Sequence, residues 1–142
     1  MRLAAWNVNS LKVRLPQVLE WLSTQKPDVL CLQETKIEDA NFPAGEIRAA
    51  GYHSLFTGQK TYNGVAVLSR QAGGEIVVAI PEFGDEQKRV LATTVDGVRV
   101  ICVYVPNGQS VDSDKYRYKL QWLAAFNNWL KDELTRYTRL AV

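Results

Sequence analysis

The segment formed by residues 29–36 constrains the fold of this chain more than any other stretch. Its first four residues are apolar, which predicts a short strand buried on both faces. The run then ends in a polar stretch that contains Glu34, and a carboxylate at the end of a buried strand is costly unless a cation meets it. Ligands also bind at strand ends in open α/β sheets. Two interpretations stay open with equal weight: Glu34 serves a ligand site, or it is simply the first solvated residue after the strand.

Length and composition indicate one ordinary globular domain. The chain has 142 residues, 46% hydrophobic and 23% charged, which suffices to bury a core. It has no apolar run long enough to span a bilayer and no leader sequence, so we expect a cytoplasmic protein without a membrane partner. The formal net charge is only +2, so any site for a polyanion must gather its basic residues locally. Cys31 and Cys102 lie in apolar strand-like runs and are expected to be buried free thiols.

The beginning of the chain predicts a strand, a helix and a second strand. Residues 3–6 form a short apolar run before Asn7, and Pro16 introduces an amphipathic helix. The two strands of such a βαβ unit run parallel, so Asn7 and Glu34 are presented at the same sheet edge. An amide oxygen beside a carboxylate suits Mg²⁺, which takes one or two carboxylates and keeps several waters. A turn or helix-capping role for Asn7 is the simpler alternative.

A loop of mixed chemistry lies between two strands predicted at residues 52–56 and 65–69. This loop, residues 57–64, contains Lys60, Tyr62, an asparagine and two glycines. Lys60 and the backbone amides can contact phosphate, while Tyr62 offers a stacking or wedging surface. An ordinary hairpin loop is the safer alternative when the loop is taken alone.

An Asp-Gly turn marks the clearest hairpin of the sequence, between strands predicted at residues 90–95 and 98–105. A further strand is predicted at residues 75–80, followed by an acidic, exposed segment at residues 82–87. The second hairpin strand ends in Tyr104. A tyrosine at a strand end is more typical of an amphipathic rim than of catalysis, and the pattern alone assigns it no further role.

The longest helix is predicted over residues 115–137, with Asp112 or Ser113 as its N-cap. Its apolar residues recur at three- and four-residue steps, and this stripe predicts core packing rather than a ligand platform. The stripe consists of Tyr116, Leu120, Leu123, Phe126, Leu130 and Leu134, and it is widened by Trp122 and Trp129.

Four motifs stand out along the chain: Trp6-Asn7-Val8-Asn9-Ser10-Leu11, Pro27-Asp28-Val29-Leu30-Cys31-Leu32-Gln33-Glu34-Thr35-Lys36, Gly64-Val65-Ala66-Val67-Leu68-Ser69-Arg70 and Tyr104-Val105-Pro106-Asn107-Gly108. Together and in this order, they resemble the exonuclease III family of apurinic/apyrimidinic endonucleases, within the endonuclease/exonuclease/phosphatase superfamily. The resemblance runs over the whole of residues 1–142. The Leu-Gln-Glu-Thr-Lys run and the Tyr-Val-Pro-Asn turn favour this branch over its phosphatase, sphingomyelinase and DNase I relatives.

The resemblance implies a DNase I-like α/β fold, of which this chain would form the N-terminal half. In that fold two mixed β-sheets form a sandwich flanked by helices, with one active-site cleft at the strand ends. The metal implied is Mg²⁺, with Mn²⁺ as a substitute, and it assists phosphodiester hydrolysis by neutralising charge on the phosphoryl oxygens and the leaving group. The partner implied is double-stranded DNA containing abasic sites, because a nucleotide without a base is cheap to extrude.

The resemblance also implies roles for seven residues. Glu34 and Asn7 match the family's metal-binding glutamate and the asparagine beside it. Tyr104 matches the active-site tyrosine that contacts the scissile phosphate, so Tyr104, Glu34 and Asn7 are the candidate catalytic residues. The candidate DNA contacts are Tyr62, Asn63, Arg89 and Asn107.

The chain departs from the family pattern in its second half. A Gly-Asp-x-Asn motif, which completes the site and activates water, does not occur, and neither does a Ser-Asp-His near the family's C-terminus. The only histidine, His53, lies in a strand-like stretch and matches no catalytic position. We therefore expect residues 1–142 to form a single partial domain, truncated before the Gly-Asp-x-Asn motif.

Four hypotheses about function follow. The leading one is a DNA-repair phosphodiesterase that, when complete, incises DNA at abasic sites and trims it from 3′ to 5′, the isolated chain being inactive for want of a general base. The alternatives are a non-catalytic DNA-binding half-domain, a superfamily phosphodiesterase acting on a non-DNA phosphate ester, and a stable domain paired with a second copy. We expect the complete enzyme to be monomeric and this chain alone to self-associate through open sheet edges.

Overall fold

The computed structural model describes all of residues 1–142 and arranges them in two four-stranded mixed sheets. A short 3₁₀ turn at Asp39–Asn41 precedes the second helix. Strands and helices follow one another as β1 (Leu3–Asn7), α1 (Leu11–Gln25), β2 (Val29–Gln33), α2 (Ala44–Ala49), β3 (His53–Thr57), β4 (Val65–Ser69), β5 (Gly74–Val77), β6 (Val90–Val95), β7 (Val98–Val103), α3 (Asp114–Arg136) and β8 (Leu140–Ala141).

Each sheet contains one parallel pair of strands and two antiparallel pairs. The first sheet has the order β1-β2-β4-β3, and β1 and β2 are the parallel pair joined by α1. The second has the order β5-β6-β7-β8, and β7 and β8 are the parallel pair joined by α3. The predicted βαβ unit and the predicted β6–β7 hairpin are therefore confirmed.

Three apolar clusters hold four layers together, as expected when each sheet must cover both of its faces. In the first, α1 and α2 cover the outer face of the first sheet. The second lies between the two sheets and contains Cys31 and Cys102, both free and buried as predicted. In the third, Trp122 and Trp129 of α3 cover the outer face of the second sheet. The residues of the first cluster include Val8, Leu11, Val18, Leu22, Leu30, Ile47 and Leu68. This is the predicted DNase I-like arrangement of two mixed sheets flanked by helices.

Helix α1 begins at Leu11, five residues before the predicted start at Pro16. A helix start leaves backbone N–H groups without partners, and the Ser10 side chain makes no capping hydrogen bond. The N–H of Ser10 donates instead to the carbonyl oxygen of Glu34 at 2.8 Å, and the N–H of Leu11 donates to that of Thr35 at 3.0 Å. These long-range bonds allow the earlier start, and Pro16 lies inside the helix.

The buried face of α3 differs from the predicted stripe. Leu120, Leu123 and Leu134 are exposed, whereas Trp122, Trp129 and Glu133 are buried. The two tryptophans bury more apolar area than leucines at the same spacing would, which favours this rotation of the helix. The ion pair between Glu133 and Arg99 of β7, 2.5 Å between Oε2 and Nε, fixes the same rotation. Ser113 is the N-cap, as predicted, because its hydroxyl accepts from the N–H of Tyr116 at 3.1 Å.

Two strands are shorter than predicted, and both sheets have open edges. β5 ends at Val77 rather than at residue 80, and its register with β6 shifts between Gly74 and Val77. β7 ends at Val103 rather than at residue 105. β1 and β8 are edge strands of their sheets. An apolar cavity of about 500 Å³ is lined by residues of β1, β2, β7 and β8. None of the helices has the length and apolar character needed to cross a bilayer.

Candidate active site

Asn7 and Glu34 meet at the edge of the first sheet, as the parallel pairing of β1 with β2 predicts. The Asn7 Nδ2 donates a hydrogen bond of 2.9 Å to the Glu34 Oε1. The Asn7 Oδ1 accepts the backbone N–H of Asn9 at 3.1 Å, which fixes the amide in this orientation. Asn7 thus orders its own turn and also orients the carboxylate.

A cation meets the Glu34 carboxylate on its other side. The Lys36 Nζ lies 3.3 Å from the Glu34 Oε2 and 2.6 Å from the Asn9 Oδ1. The Glu34 side chain is only 20% exposed, so it is not simply the first solvated residue after β2. Lys36 is therefore the cation that the cost of a carboxylate at this strand end predicted.

The backbone around Glu34 adopts a conformation that residues other than glycine rarely take. The φ angles are +54° at Glu34, +53° at Lys36 and +43° at Asn9. Such angles cost about 1 kcal/mol or more each and persist only where surrounding contacts hold them. Here the N–H of Thr35 donates to the Gly64 carbonyl at 3.1 Å, and the N–H of Lys36 donates to the Asn63 carbonyl at 2.9 Å. The position of the carboxylate is therefore set by backbone contacts to a second loop.

Tyr104 follows β7 and brings the second sheet to this site, because Glu34 is among the groups that shift its pKa. Burial raises the pKa of Tyr104, and the hydrogen bond to Glu34 and that carboxylate's charge raise it further. Burial also acts to raise the pKa of Glu34, but hydrogen bonds from Asn7, Tyr104 and Lys36 outweigh it and leave that pKa below its ordinary value. At neutral pH the site therefore holds an ionised carboxylate beside a protonated phenol.

Arg89 lies directly against Tyr104. Its guanidinium carbon is 4.7 Å from the centre of the Tyr104 ring, and its Nη1 donates to the Tyr104 carbonyl oxygen at 3.1 Å. The Tyr104 N–H donates in return to the Arg89 carbonyl oxygen at 2.8 Å. The structure thus places this predicted DNA contact next to Tyr104 at the candidate site.

Hydrogen bonds to Gln59 and Lys88 hold the loop that carries Tyr62 and Asn63. Tyr62 is 69% exposed, whereas Asn63 is 9% exposed and its Nδ2 donates to the Gln59 Oε1 at 3.1 Å. The same Gln59 oxygen accepts the N–H of Lys88 at 2.9 Å, and the Lys88 carbonyl accepts the N–H of Gly64 at 2.8 Å. The loop therefore presents Tyr62 outward, while the Asn63 side chain orders the loop.

Asn107 and His53 make no hydrogen bond with the residues gathered around Glu34. Asn107 is exposed, and its Oδ1 accepts the N–H of Gln109 at 2.9 Å within a turn. The His53 Nδ1 lies 2.6 Å from the Arg48 Nη1, in agreement with the structural role predicted for this histidine.

Sequence reasoning did not single out Lys36, Asn9 or Gln59. Lys36 and Asn9 lie inside two of the four motifs, and the cost of the Glu34 carboxylate was a signal that a cation had to be close. Gln59 carries no such signal, because its bond to Lys88 joins residues 29 positions apart.

The donor set fits one side of a magnesium site rather than a complete one. The chain contains no group of three or more His, Cys, Asp or Glu side chains that could hold a metal ion. Mg²⁺ is commonly held by one or two carboxylates, with water and substrate phosphate completing its shell. Glu34 can supply the carboxylate, and Asn7 orients it.

The chain matches the Endonuclease/Exonuclease/phosphatase family over residues 4–140. It is 32% identical to an exodeoxyribonuclease of Bacillus subtilis over 135 residues, which cover 92% of this chain and 52% of that protein. The chain spans about half the length of the curated relatives it matches.

Solved structures agree with this match. A 3′ phosphatase from Neisseria, bound to a product DNA hairpin, has a TM-score of 0.97 and 48% identity, over 99% of this chain and 55% of that one. An AP endonuclease from Archaeoglobus fulgidus has a TM-score of 0.90 and 39% identity, over 93% of this chain and 51% of that one. These matches agree with the two-sheet fold and with the family that the four motifs indicated.

Proposed function

Because the chain belongs to the Endonuclease/Exonuclease/phosphatase family, we propose that it forms the Glu34-bearing half of a DNA-repair phosphodiesterase. When complete, the enzyme incises double-stranded DNA at abasic sites and trims DNA from 3′ to 5′, with Mg²⁺ or Mn²⁺. One observation carries the proposal: Asn7 and Lys36 hold the Glu34 carboxylate at 2.9 Å and 3.3 Å, and Tyr104, which follows a strand of the second sheet, is near enough to lower the pKa of that carboxylate.

Each residue of the site has a separate task in this reaction. Glu34 would hold the metal, which when bound supplies positive charge for the phosphoryl oxygens and the leaving group. Asn7 keeps the carboxylate in one orientation, as an outer hydrogen-bonding partner does at metal sites. The Tyr104 hydroxyl has a single proton, so when DNA binds it would release Glu34 and donate a hydrogen bond to a phosphate oxygen, and this bond strengthens as that oxygen gains charge.

The remaining candidate residues bind the DNA around the reacting phosphate. Arg89 offers a charged donor to a backbone phosphate. Tyr62 is exposed and can stack or wedge against the duplex where a base is missing. Asn63 supports this contact by ordering the loop that carries Tyr62, and exposed Asn107 lines the pocket for the extruded sugar.

The isolated chain is proposed to be inactive, because hydrolysis needs a base to take a proton from water. Glu34 is engaged by Asn7 and Lys36, and the only histidine contacts Arg48 instead. The test compares the pure 142-residue chain with the product of its complete gene, on a duplex with an abasic-site analogue and Mg²⁺. Robust nicking by the isolated chain would contradict its inactivity. No cleavage of any DNA substrate by the complete product would overturn the proposed function.

Removal of a 3′ phosphate from DNA is a second candidate activity. The observation that favours it is the 48% identity to a Neisseria protein whose structures are described as those of a 3′ phosphatase and a 3′-5′ exonuclease, against 39% to an AP endonuclease. Both reactions attack phosphorus in a phosphate ester and differ in the group that leaves. Three substrates separate them: an abasic duplex, a nicked duplex with a 3′ phosphate, and a duplex with a recessed 3′ hydroxyl end.

A further inference from the structure

The acidic segment at residues 82–87 is an unexpected neighbour for a site that binds DNA. Its three acids are Glu82, Asp85 and Glu86, and their charge repels a phosphate backbone. Glu82 and Glu86 are exposed, whereas Asp85 is half-buried. Asp85 therefore differs from its two neighbours in what surrounds it.

Both carboxylate oxygens of Asp85 accept hydrogen bonds. The Oδ1 accepts the backbone N–H of Gln87 at 3.0 Å, and the Oδ2 accepts the Tyr118 hydroxyl at 2.5 Å. Tyr118 lies on α3, 33 positions further along the chain, so this bond ties the segment to the second sheet's helix. The Tyr118 ring also packs against the Phe83 ring, and their centres are 6.5 Å apart.

The two partners of Asp85 converge on Arg89. The Gln87 Oε1 accepts the Arg89 Nε–H at 2.8 Å, and the guanidinium carbon lies 5.9 Å from the centre of the Tyr118 ring. The same guanidinium carbon lies 4.7 Å from the centre of the Tyr104 ring. The hydrogen bonds to Gln87 and to the Tyr104 carbonyl use two of the five N–H groups of this guanidinium, one on Nε and one on Nη1.

We propose that Asp85 is a positioning residue for Arg89, acting through Gln87 and Tyr118. The inference rests on the proposed function, in which Arg89 binds a DNA phosphate. An arginine side chain has many rotamers, and fixing one of them on binding weakens an interaction. Asp85 fixes the guanidinium before DNA arrives, and its own charge is directed at a phenol and an amide instead of at the phosphates.

A purely electrostatic role for the acidic segment predicts the opposite effect of substitution. Removing an acid near a DNA site strengthens binding if charge repulsion is all that the acid contributes. Asp85→Ala weakens binding if the carboxylate positions Arg89. The exposed Glu86, one position away, is the matched control, because Glu86→Ala removes the same charge without touching a hydrogen bond of the Arg89 network.

The experiment measures binding of the 142-residue chain to a fluorescent duplex carrying an abasic-site analogue, by anisotropy at several salt concentrations. Arg89→Ala and Asp85→Ala should each weaken binding roughly tenfold, and Arg89→Ala should lower the salt slope by about one. The double variant should bind no more weakly than Arg89→Ala. Asp85→Asn, which retains an oxygen for Gln87 and a polar partner for Tyr118, should restore most of the affinity. Glu86→Ala should bind as well as wild type or better.

The outcomes separate this inference from the proposed function. If Asp85→Ala binds as tightly as Glu86→Ala while Arg89→Ala is weakened, the positioning role is wrong and the DNA site stands. If Arg89→Ala has no effect, the phosphate contact itself is wrong, and the positioning role falls with it. Far-UV circular dichroism checks that each variant is folded. NMR spectroscopy adds a direct measurement on Arg89. Its Nε–H proton should exchange slowly with water in wild type and in Asp85→Asn, and rapidly in Asp85→Ala.

Discussion

Asn7 donates a 2.9 Å hydrogen bond to Glu34 across the ends of two parallel strands, and the same amide accepts the N–H of Asn9. A side chain from β1 thereby sets the orientation of a carboxylate that follows β2. Because 27 residues separate the two, the site depends on the correct pairing of these strands.

Removing the Asn7 amide should weaken metal binding without unfolding the chain. In Asn7→Ala the Glu34 carboxylate loses an orienting donor, and such losses typically reduce metal affinity by about 10-fold or more. Titration with Mn²⁺, followed by electron paramagnetic resonance, measures this affinity. Asn128→Ala, at an exposed position of α3, is the control and should bind as wild type does. Equal affinities in the two variants would refute the role of Asn7.

Glu34 should contribute an acid-dependent part of the stability. Its pKa is lowered in the folded chain, so its contribution is fully present above the unfolded pKa of about 4.5 and is lost as pH falls through the lower folded value. The effect should stay below about 1 kcal/mol, since the side chain is partly solvated. Urea unfolding between pH 3 and 7 should show less acid dependence in Glu34→Gln than in wild type. The exposed Glu38 provides the control, because Glu38→Gln should keep the wild-type profile.

Gly64→Ala should destabilise the chain and disturb the site. Gly64 has a φ of +92°, and a Cβ there would overlap the Oγ1 of Thr35, the residue after Glu34. A loss of roughly 2 kcal/mol or more in the free energy of unfolding is expected from the backbone angle and the overlap together. Gly45 lies in α2, and a Cβ added there would meet no atom within 4 Å, so Gly45→Ala should be neutral or stabilising. Chemical denaturation of both variants checks the contrast.

The buried ion pair between Arg99 and Glu133 should be the most sensitive polar contact of the second sheet. Both side chains are at most 3% exposed, and removing one partner of such a pair costs about 3 to 5 kcal/mol. Glu133→Ala should therefore lower the midpoint of urea unfolding strongly. Asp114→Ala, which breaks an exposed pair with Arg117, should change the free energy of unfolding by less than about 0.5 kcal/mol. Replacing both buried partners with leucine should cost less than Glu133→Ala alone.

The isolated chain should self-associate through its open edges. β1 and β8 flank an apolar cavity of about 500 Å³, and Leu3 and Val142 are 41% and 62% exposed. Uncovered edges and apolar surface favour pairing with another chain. Sedimentation velocity should show mass that rises with concentration, and Leu3→Lys should suppress the rise. Val13→Lys, at an exposed position of α1, should not. A chain that stays monomeric at all concentrations would contradict this expectation.

The parts of the fold that depend on local pattern were predictable from the sequence. The βαβ unit and the Asp-Gly hairpin follow from short-range signals, and the βαβ unit predicted that Asn7 and Glu34 meet at one edge of the sheet. The start of α1 was not predictable, because it depends on the carbonyl groups of Glu34 and Thr35 more than twenty residues away. The buried face of α3 depends likewise on Arg99, on another element. Neither of these two contacts between distant segments leaves a local pattern in the sequence.

The site lies on the seam between the two sheets. Glu34 and its backbone contacts belong to the first sheet, whereas Tyr104 and Arg89 flank strands of the second. The distance between the Glu34 carboxylate and the Tyr104 phenol therefore depends on how the two sheets pack against each other. A change of side-chain volume deep in the shared core, at Val67 or Val100 for example, should shift that separation without touching the site. Substitutions in the core between the sheets can therefore change the geometry of the site while Glu34 and Tyr104 themselves stay the same.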